Sequence, residues 1–222
     1  MRKYIIMGPQ GAGKGTQARL LARDFGLVHI SVGDIFRWHI QNRTRLGTRV
    51  QRYLAEGRLV PDELGDDVVK SRLDMHDWSY GFIVDGFPRN VAQARFFLES
   101  YDIDAVIHID LPEAAAVDRM LARRLCSGCG LDYNLIQHRP KVLEVCDVCG
   151  GRLVARPDDT PEAIRGRLAE YSEKTRPILA LFGDKELVVT VDGTPPPEIV
   201  QAELRRRLGL VPSEAAVPAG VA

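Results

Sequence analysis

Gly8-Pro9-Gln10-Gly11-Ala12-Gly13-Lys14-Gly15-Thr16 is the stretch on which the reading of the whole chain turns. A short apolar run, Lys3–Met7, precedes it, and a helical pattern, Gly15–Arg23, follows. A phosphate group needs backbone N–H groups that converge on it, the positive end of a helix and one mobile cation. Glycines, Lys14 and the Thr16 hydroxyl supply all of these between a strand and a helix. The spacing is that of a phosphate loop with one departure. Gly15 stands where Ser or Thr is usual, and Thr16 comes one residue later.

Outward from this loop, further short runs rich in Ile and Val are bounded by turn residues: Val28–Ile30, Phe82–Val84, Ala105–Ile109 and Leu187–Val191. Such runs suit buried parallel strands. Helical stretches are expected at Asp62–Leu73, Gln93–Ser100, Pro112–Leu125 and Thr160–Leu181, the last with Thr160 as N-cap and Pro161 at the first helical position. Strands alternating with helices predict an α/β fold, a doubly wound, five-stranded parallel sheet with ligands at the carboxyl ends of its strands. Two stretches break the alternation. Residues 31–60 are polar and helical, too long for one crossover, and residues 126–156 are rich in Gly, Pro and Cys with little helical period. Both read as insertions over the strand ends. The tail, 211–222, is expected to be disordered.

The 222 residues carry 30 cations and 30 anions, with 45% apolar and 27% charged side chains. That is the composition of a globular protein, and its balance argues against holding nucleic acid by bulk charge. Among the cations 24 are Arg and 6 are Lys. Arg's planar fork grips phosphate bidentately, although a GC-rich genome explains the bias equally well. No apolar run reaches the length of a signal core or a membrane span, so the chain reads as cytoplasmic, with reduced thiols. Its four cysteines form two pairs, Cys126-x2-Cys129 and Cys146-x2-Cys149, separated by 16 residues. Two such knuckles together make a tetrahedral four-thiolate site, the geometry of structural Zn²⁺, with tetrathiolate iron as competitor.

These motifs resemble the nucleoside monophosphate kinases, and within them the adenylate kinase family with a long, metal-binding lid. The resemblance runs from about residue 1 to 210. It rests on the loop Gly8–Thr16, on Ser31-Val32-Gly33-Asp34 with Arg37, and on Asp85-Gly86-Phe87-Pro88-Arg89 with Gln93. It also rests on Asp118-Arg119, Arg123-Arg124, Arg156-Pro157-Asp158-Asp159 and Arg165-Gly166-Arg167-Leu168. It implies a core of residues 1–30, 61–122 and 161–210, a monophosphate-binding insertion at 31–60 and a zinc lid at 123–160. It further implies transfer of phosphoryl from MgATP to AMP giving two ADP, one structural Zn²⁺ per chain, no nucleic-acid or membrane partner, and a monomer. The implied catalytic residues are Lys14, Asp85, Arg89, Arg123, Arg156 and Arg167. For ATP they are Gly11, Ala12, Gly13, Lys14, Gly15, Thr16, Arg119, Arg123, Asp132, Tyr133 and Pro195. For AMP they are Val32, Arg37, Arg58, Leu59, Val60, Gly86, Phe87, Pro88, Arg89, Gln93, Arg156 and Arg167.

Physical reasoning supports these roles. A phosphoryl group in flight spreads charge over several oxygens, so catalysis is mostly positioning and charge stabilisation. The acceptor phosphate is already ionised, and no general base is required. Arg119 and Arg123, four apart on a helix, are expected to share one face toward the nucleotide. Asp85, at the end of a buried strand, is expected to meet Mg²⁺ through water. By the resemblance, Val32 stands where the family usually has a Thr that helps recognise adenine. AMP is expected as the acceptor with weaker discrimination against CMP and UMP, and a broader-specificity nucleoside monophosphate kinase accepting CMP or UMP is the alternative. Two other classes of function fit less. A nucleic-acid-binding zinc ribbon is disfavoured by the acidic excess between Cys126 and Cys149, and a nucleotide switch leaves the 85–89 segment and both insertions unexplained.

Overall fold

The apolar runs become strands because their alternate side chains can be buried on both faces of one sheet. The computed structural model describes residues 1–56, 60–77, 79–156 and 159–210. In chain order, β1 (Lys3–Met7) leads through the glycine-rich loop into α1 (Lys14–Phe25) and back to β2 (Val28–Ser31). Helices α2 (Val32–Gln41), α3 (Arg45–Ala55) and α4 (Asp62–Asp74) precede β3 (Phe82–Asp85). Then come α5 (Val91–Ser100), β4 (Ala105–Asp110) and α6 (Glu113–Leu121). Three short strands follow, β5 (Arg123–Cys126), β6 (Asp132–Asn134) and β7 (Leu153–Val154). The chain returns through α7 (Pro161–Glu170), a π turn (Tyr171–Thr175) and α8 (Ile178–Gly183) to β8 (Val188–Asp192) and α9 (Pro197–Arg207).

The five long strands form one parallel sheet in the order β2-β3-β1-β4-β8, with Ile5 opposite both Val84 and Val106. Strand order reverses beside β1, which places the phosphate loop at the switch point where α/β sheets hold ligands. Two core clusters lie on opposite faces. One joins Ile6, Ile83 and Ile107 to α1, α6, α7 and α9 through Leu21, Met120, Ile164 and Leu204. The other joins Ile5, Val84 and Val106 to α3, α4, α5 and α8 through Val50, Leu73, Phe97 and Phe182. Each such buried side chain contributes roughly 1.5–3 kcal/mol. Ser31, Thr44, Asn90 and Thr160 cap their helices by accepting from an N–H three residues on. Gly11 has φ 85°, and a Cβ there would stand 2.7 Å from the Ala116 carbonyl oxygen. Only glycine fits so tight a turn against α6.

The fold matches the expected class, and three local readings are corrected. Helix α6 stops at Leu121, not Leu125, because Arg123–Cys126 pairs as a strand with β6 and β7. Arg119 and Arg123 therefore do not share a helix face. The single helix read over 160–181 is α7, the π turn and α8, with Pro177 starting the last. The stretch 126–156, with little helical period, contributes to a separate three-stranded antiparallel sheet, β6-β5-β7. The tail, 211–222, lies outside the described residues.

Candidate active site

Helix α1 opens at Lys14 with no side-chain cap and no acid in its first turn, so its N-terminal amides and positive dipole end face the loop. The Lys14 ammonium donates to the Gly8 and Pro9 carbonyls, at 2.8 Å each, which fixes it over the loop with a third donor to spare. Burial pushes its pKa down to about 8, opposed by Asp85 and reinforced by Arg89 and Arg123. A lysine so destabilised as a cation gains most from an anion beside it.

A cleft of about 1030 Å³ opens on this loop. Its lining includes Gly11, Gly13, Lys14, Gly15 and Thr16 from the loop and α1, and Arg37 from α2. Asp85, Gly86, Arg89, Arg119, Arg123, Asp132, Tyr133 and Arg156 complete that wall. A smaller cavity of about 40 Å³ adjoins it, lined by Lys14, Gly86, Phe87, Pro88, Arg89 and Arg167 among others. Together they gather seven of the sequence-assigned cations from separate elements. Several are held by neighbouring groups. Arg89 donates from Nε to the Gly86 carbonyl at 2.7 Å, and burial lowers its pKa. Arg119, 8% exposed, donates to the Gly193 and Thr194 carbonyls at 2.7 and 2.9 Å. Arg37 pairs with Asp34.

Asp159 was not singled out as a site residue, yet it organises two of these cations. It accepts from Arg123 at 2.8 and 2.6 Å and from Arg167 at 3.0 Å. A two-pronged pair of this kind fixes direction as well as distance. An acid following Arg156-Pro157 was the only hint in the sequence, because its partners lie 36 and 8 residues away.

Other assigned residues sit back from the cleft. Ala12 is a core residue on one face of the sheet, and Phe87 and Val32, each 3% exposed, belong to the core cluster on the other. Gln93 is 5% exposed; its Oε1 accepts from the Arg89 N–H at 2.8 Å and its Nε2 donates to Asp62 at 3.2 Å. It thus braces Arg89 before reading any base. Val60 packs against the same core cluster as Val32. Pro195 lies beside the cleft, with its carbonyl accepting from Gln137 at 3.4 Å. Arg58 and Leu59 lie outside the described residues.

The residues present fit two metals. Asp85 ends β3 next to the loop, and a Cβ on Gly15 would stand 3.4 Å from its Oδ2. Gly15 thereby keeps space for an oxygen donor beside the phosphate loop, the ligand a hard cation takes. In the small sheet the four cysteine Sγ atoms all lie within 4.8 Å of one another. Cys126 and Cys149 are 3.4 Å apart and Cys129 and Cys146 3.6 Å, far beyond a disulfide bond. Four sulfurs around tetrahedral Zn²⁺ stand about 3.8 Å apart. The Gly128 and Cys129 N–H groups point at the Cys126 sulfur, at 3.4 and 3.5 Å, as they do toward a thiolate. Tyr133 serves this centre too, its hydroxyl accepting from the Asp147 N–H at 2.8 Å and touching the Cys146 sulfur at 3.5 Å.

Comparison with known proteins agrees with this geometry. A family model described as adenylate kinase matches residues 6–187. The chain is 43% identical over 212 residues to an adenylate kinase of Clostridium tetani, covering 93% of this chain and 98% of that one. It is 40% identical to an adenylate kinase of Lachnospira eligens, over 93% of this chain and all of that one. For an adenylate kinase of Clostridium acetobutylicum the identity is 41%, over 93% and 99%. A phosphate loop at the switch point of a parallel sheet, ringed by arginines, and matches that span nearly the whole chain lead to one conclusion: the chain belongs to the adenylate kinase family and is a nucleotide phosphotransferase.

Proposed function

We propose that the protein transfers the terminal phosphoryl group of MgATP to AMP, reversibly, giving two ADP. The observation that carries this is the convergence of Lys14, Arg37, Arg89, Arg119, Arg123 and Arg156 on one cleft, with Arg167 at the small cavity behind it. One ATP needs fewer cations than that. Two nucleotides meeting phosphate to phosphate need them all.

ATP lies along the loop residues 11–16, with Arg119, Arg123, Asp132, Tyr133 and Pro195 along its length. AMP lies toward Val32, Arg37, Arg58, Leu59, Val60, the segment 86–89 and Gln93. A phosphate oxygen of AMP attacks the γ-phosphorus as the bond to the β–γ bridging oxygen breaks, and ADP leaves with that electron pair. Lys14, Arg89, Arg123, Arg156 and Arg167 hold the spreading charge, and none of them moves a proton. Mg²⁺, when bound near Asp85, neutralises phosphate charge there. Cys126, Cys129, Cys146 and Cys149 hold one structural Zn²⁺. In this reading residues 31–60 clamp the monophosphate, residues 123–160 close over ATP, and the remainder to 210 forms the core. Closure excludes water, the competing acceptor. The family resemblance supports a monomer and a cytoplasmic setting. Among the described residues no helix is long and apolar enough to cross a membrane.

The test offers AMP, CMP, UMP and GMP separately with MgATP, beside a control without acceptor. AMP is expected to turn over at least tenfold faster than any other. Equal turnover of CMP or UMP overturns the choice of acceptor, and turnover confined to the control overturns the transfer.

A further inference from the structure

The small cavity has a wall that the roles above do not use. Tyr171 and Thr175 line it together with Lys14, Gly86, Arg89 and Arg167. Both belong to the π turn Tyr171–Thr175, closed by the Arg176 N–H donating to the Tyr171 carbonyl at 2.8 Å. Arg167, Tyr171 and Thr175 are spaced four apart. On an α-helix, residues four apart drift by about 40° around the axis, so two such steps would carry Thr175 off the face that bears Arg167. A π turn holds more residues per revolution and reverses that drift over its own step. All three side chains consequently reach one cavity.

Tyr171 and Thr175 each make a contact to another element. The Thr175 hydroxyl donates to the Arg89 carbonyl at 3.1 Å. Arg89 is then fixed at its N–H by Gln93, at its carbonyl by Thr175 and at its Nε by the Gly86 carbonyl. The Tyr171 hydroxyl meets His108 Nε2 at 3.2 Å, and His108 Nδ1 meets the Thr190 hydroxyl at 3.3 Å, which ties the turn to β4 and β8. We propose that the π turn sets the phase that brings Thr175 onto Arg89, and that Thr175 is a positioning residue for phosphoryl transfer. In this role it acts through the Arg89 backbone. The proposal rests on the transfer reading above.

Thr175→Val keeps the shape and removes the donor, whereas Thr175→Ser keeps the donor. With MgATP and AMP, Thr175→Val is expected to lower kcat about 5- to 20-fold, with both KM values within twofold and the melting temperature within 2–3 °C. Thr175→Ser is expected to recover most of kcat. Wild-type turnover of AMP in the same assay carries the transfer reading by itself, and only the variant ratios bear on Thr175. An unchanged kcat in Thr175→Val overturns the proposal. So does a loss that Thr175→Ser fails to restore, or one that follows a fall in melting temperature.

Discussion

At the scale of single residues, Lys14 is the group whose chemistry is most exposed to test. Its pKa lies near 8 in the folded chain against about 10.5 unfolded. Between those values the unfolded chain binds more protons, so this group's contribution to stability improves as pH rises from about 8 to 10.5. Below pH 8 the charged form is present and costs stability. Catalysis runs the other way, because only the ammonium holds a phosphate. The free protein's kcat/KM for ATP is therefore expected to fall above about pH 8. A bound triphosphate stabilises the ammonium, so the fall in kcat is expected at higher pH. Parallel pH profiles of kcat and kcat/KM check this, and a flat kcat/KM from pH 7 to 9.5 contradicts it. Lys14 was legible in the sequence because its partners are its own loop. Asp159 was not, since its meaning appears only when Arg123 and Arg167 fold onto it. Gln93 was legible as a site residue, but its bond to the Arg89 backbone was not.

At the scale of elements, the five strands were readable because Ile and Val runs flanked by turn residues pack best inside a sheet covered on both faces, and the structure moves their ends by only a residue or so. Sequence pattern and structure part where local preference competes with strand pairing. Leu121–Leu125 continues a helical composition, yet β5 gains two strand partners by leaving the helix. The π turn leaves no mark in hydrophobic spacing, and Pro177 was the one sign of a break. The small sheet is where the proposed metal would matter most. Its buried cluster is Cys126, Tyr133, Cys146 and Leu153, and two of those are candidate sulfur ligands. Two apolar side chains cannot offset the entropy of ordering some thirty residues, whereas a structural Zn²⁺ adds about 10–16 kcal/mol. Metal analysis is expected to find one zinc per chain. Chelation, or Cys146→Ser, is expected to remove amide-exchange protection from β5–β7 while the five-stranded sheet keeps its own. Protection of β5–β7 that survives complete removal of metal contradicts this assignment.

At the scale of the whole molecule, the parallel sheet sets the loop at its switch point, and residues from both 31–60 and 123–160 line the cleft that opens there. Arginines from α2, α6, β5 and the 85–89 and 156 segments arrive at that cleft from elements far apart in sequence. Each arginine alone reads as a surface charge. Their convergence is a property of the fold, and the family pattern revealed it before the geometry did. In the proposed function this cleft joins two nucleotides and moves phosphoryl between them. Incubating the protein with Mg²⁺ and ADP alone, and following all phosphates by ³¹P NMR, tests it most directly. ATP and AMP are expected to appear in equal amounts with no inorganic phosphate. Inorganic phosphate without ATP, or ADP left unchanged, would contradict it.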